Sequence, residues 1–453
     1  MMVIVYGCFI AFGMVAVVLQ AMAYKTRPDV SEGNNPQFLK FQRGYFAAYL
    51  TAMFADWLQG PYLYKLYSYY GFQEEQIAVL YVFGFASTVI IGMWAPLAAD
   101  QFGRKKLCLS FTVLYSVSCL LKLSRSYGIL ILGRVIGGVA TSVLFSAFEA
   151  WYVHEHIETH DFPKEWIAVT FAKASTWNGV LAVTAGIVTN IVSEWFYMGP
   201  VAPYMLAIPF LIFAGILVST HWIENYSGSK VKFKKVCADG FKGIMSSEMI
   251  FMVGVIEALV ESVIYIIIFL WTPILDPSKP SLGIVFSCFM VCILAGQGLF
   301  QILSSKHIDV PVLLLSSCGI ALLANLLCVH STDPESRNPN LSFIALCMFQ
   351  FGVGIYFPAM GYLRSHIIPE QHRWSIMNWF RVPINLISCI VLMLLHEDMF
   401  KHGNRMIFVI CSGLLTLSLL CGLRFFKLAK EDESLKQSSP LMTTNNNGIR
   451  FDS

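Results

Sequence analysis

Long apolar runs separated by short polar segments extend from the first residue to about residue 427. A helix that crosses a bilayer needs about 20 predominantly apolar residues. Inside lipid, helices satisfy every backbone hydrogen bond without forming a closed barrel. The pattern therefore predicts an all-α polytopic membrane protein. Its thirteen expected spans are 2–23, 44–68, 76–98, 107–124, 128–152, 166–192, 201–221, 247–272, 282–303, 311–329, 341–363, 374–395 and 405–426.

The polar segments between these runs differ in charge. Lys and Arg concentrate in the cytosolic loops of polytopic membrane proteins. With alternating spans, the basic segments fall on one side, and short or acidic loops such as 330–340 and 396–405 fall on the other. We therefore expect a multi-pass protein of the cell membrane, with its N-terminus outside and its C-terminus in the cytosol. The basic segments are 100–106, 154–166, 227–243, 364–373 and the tail from Arg424.

The longest basic loop, 222–246, separates two sets of six predicted spans. The first span, 2–23, belongs to neither set. Two sets of six spans are typical of transporters built from structural repeats. The first span has no basic segment before it and is followed by Lys25 and Arg27. This favours an extra membrane helix, with a cleaved signal peptide as the alternative. The expected units are the extra helix and its linker (1–37), an N-terminal six-helix bundle (38–221), a basic cytosolic linker (222–246), a C-terminal six-helix bundle (247–427) and a disordered cytosolic tail (428–453).

Composition and motifs narrow the class of protein. The chain is 56% hydrophobic and 13% charged, with a mean hydropathy of +0.63, whereas soluble domains carry about 25% charged residues. The twelve cysteines show no CxxC or CxxH spacing, and the histidines of 154–160 have mixed spacing, so we expect neither a disulfide framework nor a metal site. No phosphate-binding loop, nucleophile triad or dinucleotide glycine pattern occurs in the sequence. We expect no catalysis, no cofactor and no nucleic-acid partner.

The second predicted span contains a charged segment that is prone to break. Asp56 lies near its middle, and Gln59, Gly60 and Pro61 follow. Proline removes a helical hydrogen bond, and glycine loosens the turn. Freed backbone groups at membrane depth are tolerated only beside protein or a wet cavity. We predict that the helix kinks or opens just after Asp56, at the edge of such a cavity.

Two loop and helix motifs resemble those of the major facilitator superfamily. The segment DQFGRKK (100–106) follows the third predicted span, and its Asp100 and Arg104 match the superfamily's acidic and basic positions. The glycine usual four residues before the aspartate is Pro96 here. GRVIGGVA (133–140) is similar to the arginine motif of the fourth helix, with Arg134 in register. The resemblance implies a major facilitator fold, with two six-helix bundles around a cavity that opens alternately to either side.

Four further stretches resemble the molybdate-anion transporter family. The resemblance extends from about residue 1 to residue 427 and implies cellular uptake of molybdate, a small inorganic anion. It transfers no binding residues position by position, so the site has to be argued from physical chemistry. The stretches are ADWLQGPYLYKLY (55–67), SAFEAWYVHEH (146–156), FLWTPILDP (269–277) and NWFRVP (378–383).

Asp56, Glu257 and Glu261 lie within predicted spans, where an ionised side chain facing lipid costs about 2.5–3.5 kcal/mol. Glu257 and Glu261 are four residues apart and share one helix face. When the two repeats are aligned, Asp56 falls opposite Glu261. We expect these acids to line the cavity and to take part in proton coupling. The alternative is an interhelical salt bridge that only fixes the packing.

Arg381 is the candidate for contact with an anionic substrate, because a guanidinium presents several donors in a planar fork. A structural pairing of Arg381 with a buried acid is the alternative. Asn378 and Asn385 flank Arg381 at helical spacing and are expected to add neutral donors. Gln59 and Asn178 are further candidates for the substrate site.

The remaining charged candidates concern proton movement and gating. Arg134 lies at half-membrane depth, where it suits either proton transfer or pairing with a neighbouring acid. Asp100 and Arg104 are expected to form charge pairs that hold helix ends together in one state. Glu149 is expected near the cytosolic end of its helix, as a partner in an inner gate or as a site residue.

The sequence therefore predicts a secondary active transporter that takes up molybdate by alternating access, with proton coupling as a hypothesis. One alternative is a transporter of another oxyanion or a small organic anion. The other is a membrane scaffold or sensor that transports nothing. The expected partners are the anion and the lipid bilayer, and a monomer is the default expectation for a state that the sequence does not determine.

Overall fold

A computed structural model describes residues 1–26, 35–92, 94, 101–226, 233–369, 373–396 and 404–438. Among these residues the chain is almost entirely helical, and no strand occurs. The helices are α1 Met2–Lys25, α2 Pro36–Gln59, α3 Leu63–Tyr69, α4 Glu74–Gly92, α5 Arg104–Leu121, α6 Tyr127–His154, α7 Glu165–Asn190, α8 Ala202–His221, α9 Phe233–Met245, α10 Glu248–Leu275, α11 Leu282–Ser305, α12 Val310–Ser331, α13 Pro339–Ile367, α14 Arg373–Met393 and α15 Arg405–Ser438.

Eleven helices in the described ranges are long and apolar enough to cross a membrane. They include all the predicted spans except those of α2 and α5, which have 24 and 18 residues. The helix α5 begins with three consecutive basic residues, and α2 carries Lys40, Arg43 and Asp56. Both helices are therefore less apolar than their neighbours, and each packs against other helices of the molecule.

Helices α2 to α8 pack together as one bundle, and α10 to α15 form a second. We call them the N-terminal and the C-terminal bundle. The two bundles meet where α4 packs against α14 and where α7 packs against α11. The predicted architecture, two helical bundles plus an extra N-terminal helix, is confirmed.

The extra helix α1 docks on α11, a helix of the C-terminal bundle. Gln20 donates a hydrogen bond through Nε2 to the carbonyl of Leu294 at 2.7 Å. Leu19 packs over Gly298, where an added Cβ would lie 3.2 Å from it. The helix that precedes the N-terminal bundle in sequence is thus held by the other bundle.

We name the two ends of the molecule by their residues. The linker face carries α9 and the segment 222–226, and the opposite face carries α3 and Asp276. The helix α9 belongs to the C-terminal side, because Trp379 of α14 donates through Nε1 to the carbonyl of Cys237 at 2.9 Å.

Two helices continue beyond their predicted ends on the linker face. The helix α15 passes residue 427 and reaches Ser438, because residues 428–438 are rich in helix-forming Ala, Glu, Lys and Leu. The helix α13 reaches Ile367 instead of residue 363. The assignment of Arg364 to a basic loop is therefore wrong: a hydropathy window ends a span at the first charge, whereas the hydrogen-bonded helix does not.

Candidate functional site

The predicted break after Asp56 is present. The helix α2 ends at Gln59, and the chain becomes helical again only at Leu63. The carbonyl of Gln59, freed by the break, accepts a hydrogen bond from the hydroxyl of Tyr204 at 3.1 Å. The break therefore lies against protein, and its polar backbone is satisfied by a neighbouring helix.

A buried polar cluster surrounds this break in the N-terminal bundle. Asp56 accepts a short hydrogen bond from the hydroxyl of Tyr115 on α5. Lys122, which is 3% exposed, follows the end of α5. Its Nζ donates to Oε1 of Gln59 at 3.2 Å and to Oγ of Ser118 at 3.0 Å. Gln59, a predicted substrate contact, is therefore only 6% exposed, and its side-chain oxygen accepts a hydrogen bond from the buried Lys122.

A second cluster occupies the C-terminal bundle between α10 and α13. Arg364 donates through Nη1 to Oε1 of Glu257 at 2.6 Å, and the Glu257 side chain is only 4% exposed. The other carboxylate oxygen, Oε2, is buried and has no hydrogen-bond partner among the described residues. Glu261 lies one helical turn further on and is half-buried. The two acids are therefore adjacent, and Arg364 pairs directly with Glu257 alone.

Arg381 of α14 lies between the two bundles. Its Nη1 would be 3.9 Å from a Cβ placed at Gly92 of α4, and its side chain is exposed. Among the described residues, its guanidinium makes no hydrogen bond and no ion pair. Since it borders helices of both bundles, the exposed surface of Arg381 faces a space between them. Glu257, one of the buried acids, is paired with Arg364 and not with Arg381, and the alternative that Arg381 pairs with a buried acid stays a prediction.

Asn378 and Asn385 lie on the same stripe of α14 as Arg381 and are both buried. Asn385 uses Nδ2 to cap the carbonyl of Arg381 at 2.9 Å, and its Oδ1 is unpaired within the described part of the chain. Nδ2 of Asn378 is buried there without an acceptor. The stripe thus presents one free guanidinium and one unsatisfied amide donor.

The other predicted site residues lie in three different places. The carboxylate of Glu149 on α6 is exposed and within electrostatic range of Arg381, across the space between the bundles. Asn178 accepts a hydrogen bond from Nε1 of Trp57 at 2.7 Å. Arg134 donates through Nε to the carbonyl of Leu80 at 3.1 Å, and its guanidinium lies over the Tyr81 ring.

The opposite face is closed by polar contacts between the bundles. Lys65 of α3 forms an ion pair with Asp276, with its Nζ 2.7 Å from Oδ2. Oε1 of Glu194 accepts from the hydroxyl of Tyr62 at 2.8 Å and from the backbone N–H of Leu282 at 3.1 Å, so it joins α11 to the N-terminal bundle.

Close helix packing completes this closure. A Cβ added at Gly283 of α11 would lie 2.4 Å from the carbonyl oxygen of Gly186 on α7, so only glycine permits this approach. The rings of Phe85 and Tyr265 stack with their centroids 5.0 Å apart, across the bundle boundary. Since these contacts join the bundles at the described part of the opposite face, we expect the exposed Arg381 and Glu149 to reach solvent through the linker half.

The predicted gate loop is tied to the end of α8. The backbone N–H of Arg104 donates to the carbonyl of Asn225 at 3.2 Å. The carboxylate of Glu224 accepts from the N–H groups of Lys105 and Lys106 at 2.9 and 3.1 Å, at the N-terminus of α5. Asp100 lies outside the described residues, so its proposed charge pair stays a prediction.

The sequence reasoning missed three residues of these clusters: Tyr115, Lys122 and Arg364. Lys122 lies within a predicted span, and an intramembrane lysine was by itself a signal of a buried site. Tyr115 gave no signal, because tyrosines are common in the chain. Arg364 was hidden by its assignment to a loop.

Comparison with known proteins agrees with this arrangement. Residues 5–351 match a major facilitator family whose description is sugar transporters with 12 transmembrane helices. The nucleoside transporter NupG superposes with a TM-score of 0.67, covering 86% of this chain and 100% of that one at 12% identity. A D-xylose–proton symporter gives 0.67, covering 86% and 98% at 11% identity. The fold and the family match therefore define a transporter of the major facilitator superfamily, and not an enzyme.

Closer relatives refine this class. A molybdate-anion transporter of Xenopus tropicalis is 42% identical, covering 97% of this chain and 98% of its own length. That of Danio rerio is 39% identical, covering 97% and 99%. At this identity and coverage, the chain belongs to the molybdate-anion transporter family.

Proposed function

We propose that this protein takes up molybdate into the cell by alternating access. The full-length relatives named molybdate-anion transporters support the substrate. Within the structure, the proposal rests on Arg381, a guanidinium that is exposed between the bundles and unpaired among the described residues. A fork of N–H donors suits a tetrahedral oxyanion with paired oxygens. The buried Nδ2 of Asn378 supplies a neutral donor on the same stripe.

The charges around Arg381 suggest how binding is coupled to protons. Molybdate is a dianion, and moving it into an inside-negative cell costs roughly 4.6 kcal/mol per 100 mV, at about 2.3 kcal/mol per charge. Glu149 and Glu261 both interact electrostatically with Arg381, and either acid would repel the anion when it is ionised. Two protons carried with each anion would cancel both its charge and this repulsion. Glu261 is the proposed proton carrier because its neighbour Glu257 already forms an ion pair with Arg364.

The conformation of this structure fits the inward-open state of the alternating-access cycle. We assign the linker face to the cytosol, because the basic segments end there. The N-terminus is then outside and the C-terminus inside, in the plasma membrane. In this orientation the outer mouth is closed by Lys65, Asp276 and Glu194, and Arg381 is reached from the cytosol.

The test is molybdate uptake by cells that express the protein, compared with the variant Arg381→Ala at two external pH values. Surface expression is measured for every variant. We expect uptake by the wild type, greater at the lower pH, and loss of uptake in Arg381→Ala. Arg424→Gln is the matched control, because Arg424 lies on the linker face in a half-exposed pair with Glu248 and should leave uptake unchanged.

The same assay separates the rival functions. Full inhibition of uptake by excess sulfate, together with faster sulfate uptake, would move the proposal to a broader oxyanion transporter. Equal molybdate accumulation in expressing and non-expressing cells would contradict transport of this anion. A scaffold would tolerate Arg381→Ala without loss of function, and it gives no reason for a free arginine between two bundles.

A further inference from the structure

A second cavity lies in the N-terminal bundle at the linker face, away from α14 and Arg381. It has a volume of about 510 Å³, is open to the surface, and is lined by the start of α2, the end of α6, the end of α8 and the loop residue His160. Its walls are aromatic: Phe41, Tyr45, Trp151 and Trp222. A tetrahedral oxyanion alone would not fill this space, which lies in the range of pockets for small organic molecules.

Two polar atoms in these walls are unsatisfied. The hydroxyl of Tyr45 and Nε1 of Trp222 are buried and have no hydrogen-bond partner in the described part of the chain. Their side chains are 1% and 3% exposed. Trp151 stacks on Trp222 with centroids 3.8 Å apart, and its own Nε1 is satisfied by the carbonyl of Ile223 at 2.8 Å. Buried donors are rarely left unpaired, and an indole N–H can only donate. Both atoms therefore lack a partner within the described part of the chain, and a bound ligand with acceptor oxygens would supply one.

The rim of the cavity is basic. Lys40, His160 and His221 line it, and all three side chains are exposed. Phe41 holds the His160 ring, with the ring centroids 4.8 Å apart. A ligand that fits must therefore combine an anionic acceptor group with an apolar body. The cavity opens at the membrane face that carries the basic segments, where anionic lipid headgroups bind between helices.

We propose that this cavity binds a ligand of net negative charge that carries a phosphate group on an apolar body. Its phosphate oxygens accept hydrogen bonds from Tyr45 and Trp222 and neutralise the basic rim, while its apolar part lies against the aromatic walls. Two sources have this chemistry: an anionic phospholipid of the adjoining leaflet and a soluble aromatic phosphate. The site is separate from Arg381 and Asn378, because none of the residues that line it belongs to α14.

The experiment measures lipid adducts by native mass spectrometry and the Tm of the purified full-length protein in detergent. The probes are phosphatidylserine, phosphatidylcholine and phenyl phosphate. We expect phosphatidylserine to form an adduct and raise Tm, and phosphatidylcholine to do neither. Binding of phenyl phosphate without binding of phosphatidylserine would assign the site to a soluble ligand.

Two glycine variants test the location. A Cβ at Gly44 in the cavity meets no atom within 4 Å, so Gly44→Trp fills the space without a clash at the backbone. Gly128 is equally open but lies at the start of α6 on the opposite face, so Gly128→Trp is the matched control. We expect Gly44→Trp to lose the adduct at unchanged Tm of the ligand-free protein, and Gly128→Trp to keep it.

A variant of the rim tests the charge. The double variant Lys40→Gln/His160→Gln should bind about tenfold more weakly, because it removes charge-assisted donors but leaves the aromatic walls. The proposal is overturned if neither phosphatidylserine nor phenyl phosphate binds, if phosphatidylcholine binds as well as phosphatidylserine, or if Gly44→Trp keeps the wild-type adduct.

Discussion

The two bundles stabilise their buried charges in different ways. In the N-terminal bundle, Asp56 is held by a tyrosine hydroxyl and Lys122 by an amide and a serine, so each charge has neutral partners. In the C-terminal bundle, Glu257 forms a direct ion pair with Arg364, and Glu261 stands one turn away. The first arrangement supports the break in α2. The second leaves one acid whose charge is not directly compensated.

This difference separates two positions that the sequence makes equivalent. The alignment of the two repeats places Asp56 opposite Glu261, and both were expected to act in proton coupling. The structure gives Asp56 a hydrogen bond from the hydroxyl of Tyr115, which offsets part of the cost of burying its charge. We therefore expect the two acids to have different roles. Asp56 in the N-terminal bundle stabilises the local structure, and Glu261 in the C-terminal bundle binds and releases protons.

The variant Arg364→Gln is expected to cause the largest loss of folding stability. Removing one member of a buried ion pair leaves the other charge without a partner, at a cost of about 3–5 kcal/mol. We expect the free energy of unfolding in detergent to fall by this amount. The double variant Glu257→Gln/Arg364→Gln should recover most of the loss. A Tm of Arg364→Gln equal to that of the wild type would show that the pair is not a main stabiliser of this bundle.

The corresponding change in the other bundle is Lys122→Met. Lys122 has only neutral hydrogen-bond partners and interacts with Asp56 electrostatically without a direct ion pair. Its loss therefore removes a buried ammonium that is costly to desolvate and leaves no directly paired acid behind. We expect a loss of about 1–2 kcal/mol, mainly from the unsatisfied Oε1 of Gln59. Thermal unfolding beside Arg364→Gln measures the contrast. A larger loss for Lys122→Met would reverse our comparison of the bundles.

The pH dependence of uptake separates Asp56 from Glu261. If Glu261 must be protonated for transport, uptake rises as the external pH falls, by about tenfold per pH unit at most for one proton. We expect Glu261→Gln to remove this dependence, because glutamine mimics the protonated acid. Asp56→Asn should reduce uptake but keep the slope. A pH profile that Glu261→Gln leaves unchanged would exclude Glu261 as the carrier.

The smallest expected effect concerns the closed opposite face. The Lys65–Asp276 pair is partly exposed, with side chains 37% and 22% accessible, so its contribution is about 0.2–1 kcal/mol. We expect Lys65→Asp to change the uptake rate by no more than about fivefold. The charge-swapped variant Lys65→Asp/Asp276→Lys should restore it. Failure of the swap to restore the rate would mean that each charge acts separately.

A cysteine pair tests whether the closure itself must open. In Lys65→Cys/Asp276→Cys, oxidation should join α3 to the end of α10 and stop uptake, and reduction should restore it. Each single cysteine variant serves as a control. Continued uptake by the fully oxidised pair would show that this mouth stays closed during transport.

Much of the architecture followed from the sequence, and some partners did not. The apolar runs predicted the helices, and Gln59-Gly60-Pro61 predicted the break, because both depend on local chemistry. The pairing of Glu257 with Arg364 spans 107 residues, and that of Asp56 with Tyr115 spans 59. Helical spacing shows which residues share a face, but it does not show which helix lies opposite.

The sequence by itself determined a membrane transporter with a repeated architecture and costly charges inside it, because bilayer thickness and backbone hydrogen bonding permit few alternatives. The tertiary structure alone decided which charges are neutralised and which remain available. Packing places Arg364 on Glu257 and leaves Arg381 exposed between the bundles, although both are arginines near the linker-side ends of their helices. A charge is neutralised or left free by the helices that pack around it, and only the folded chain fixes those neighbours.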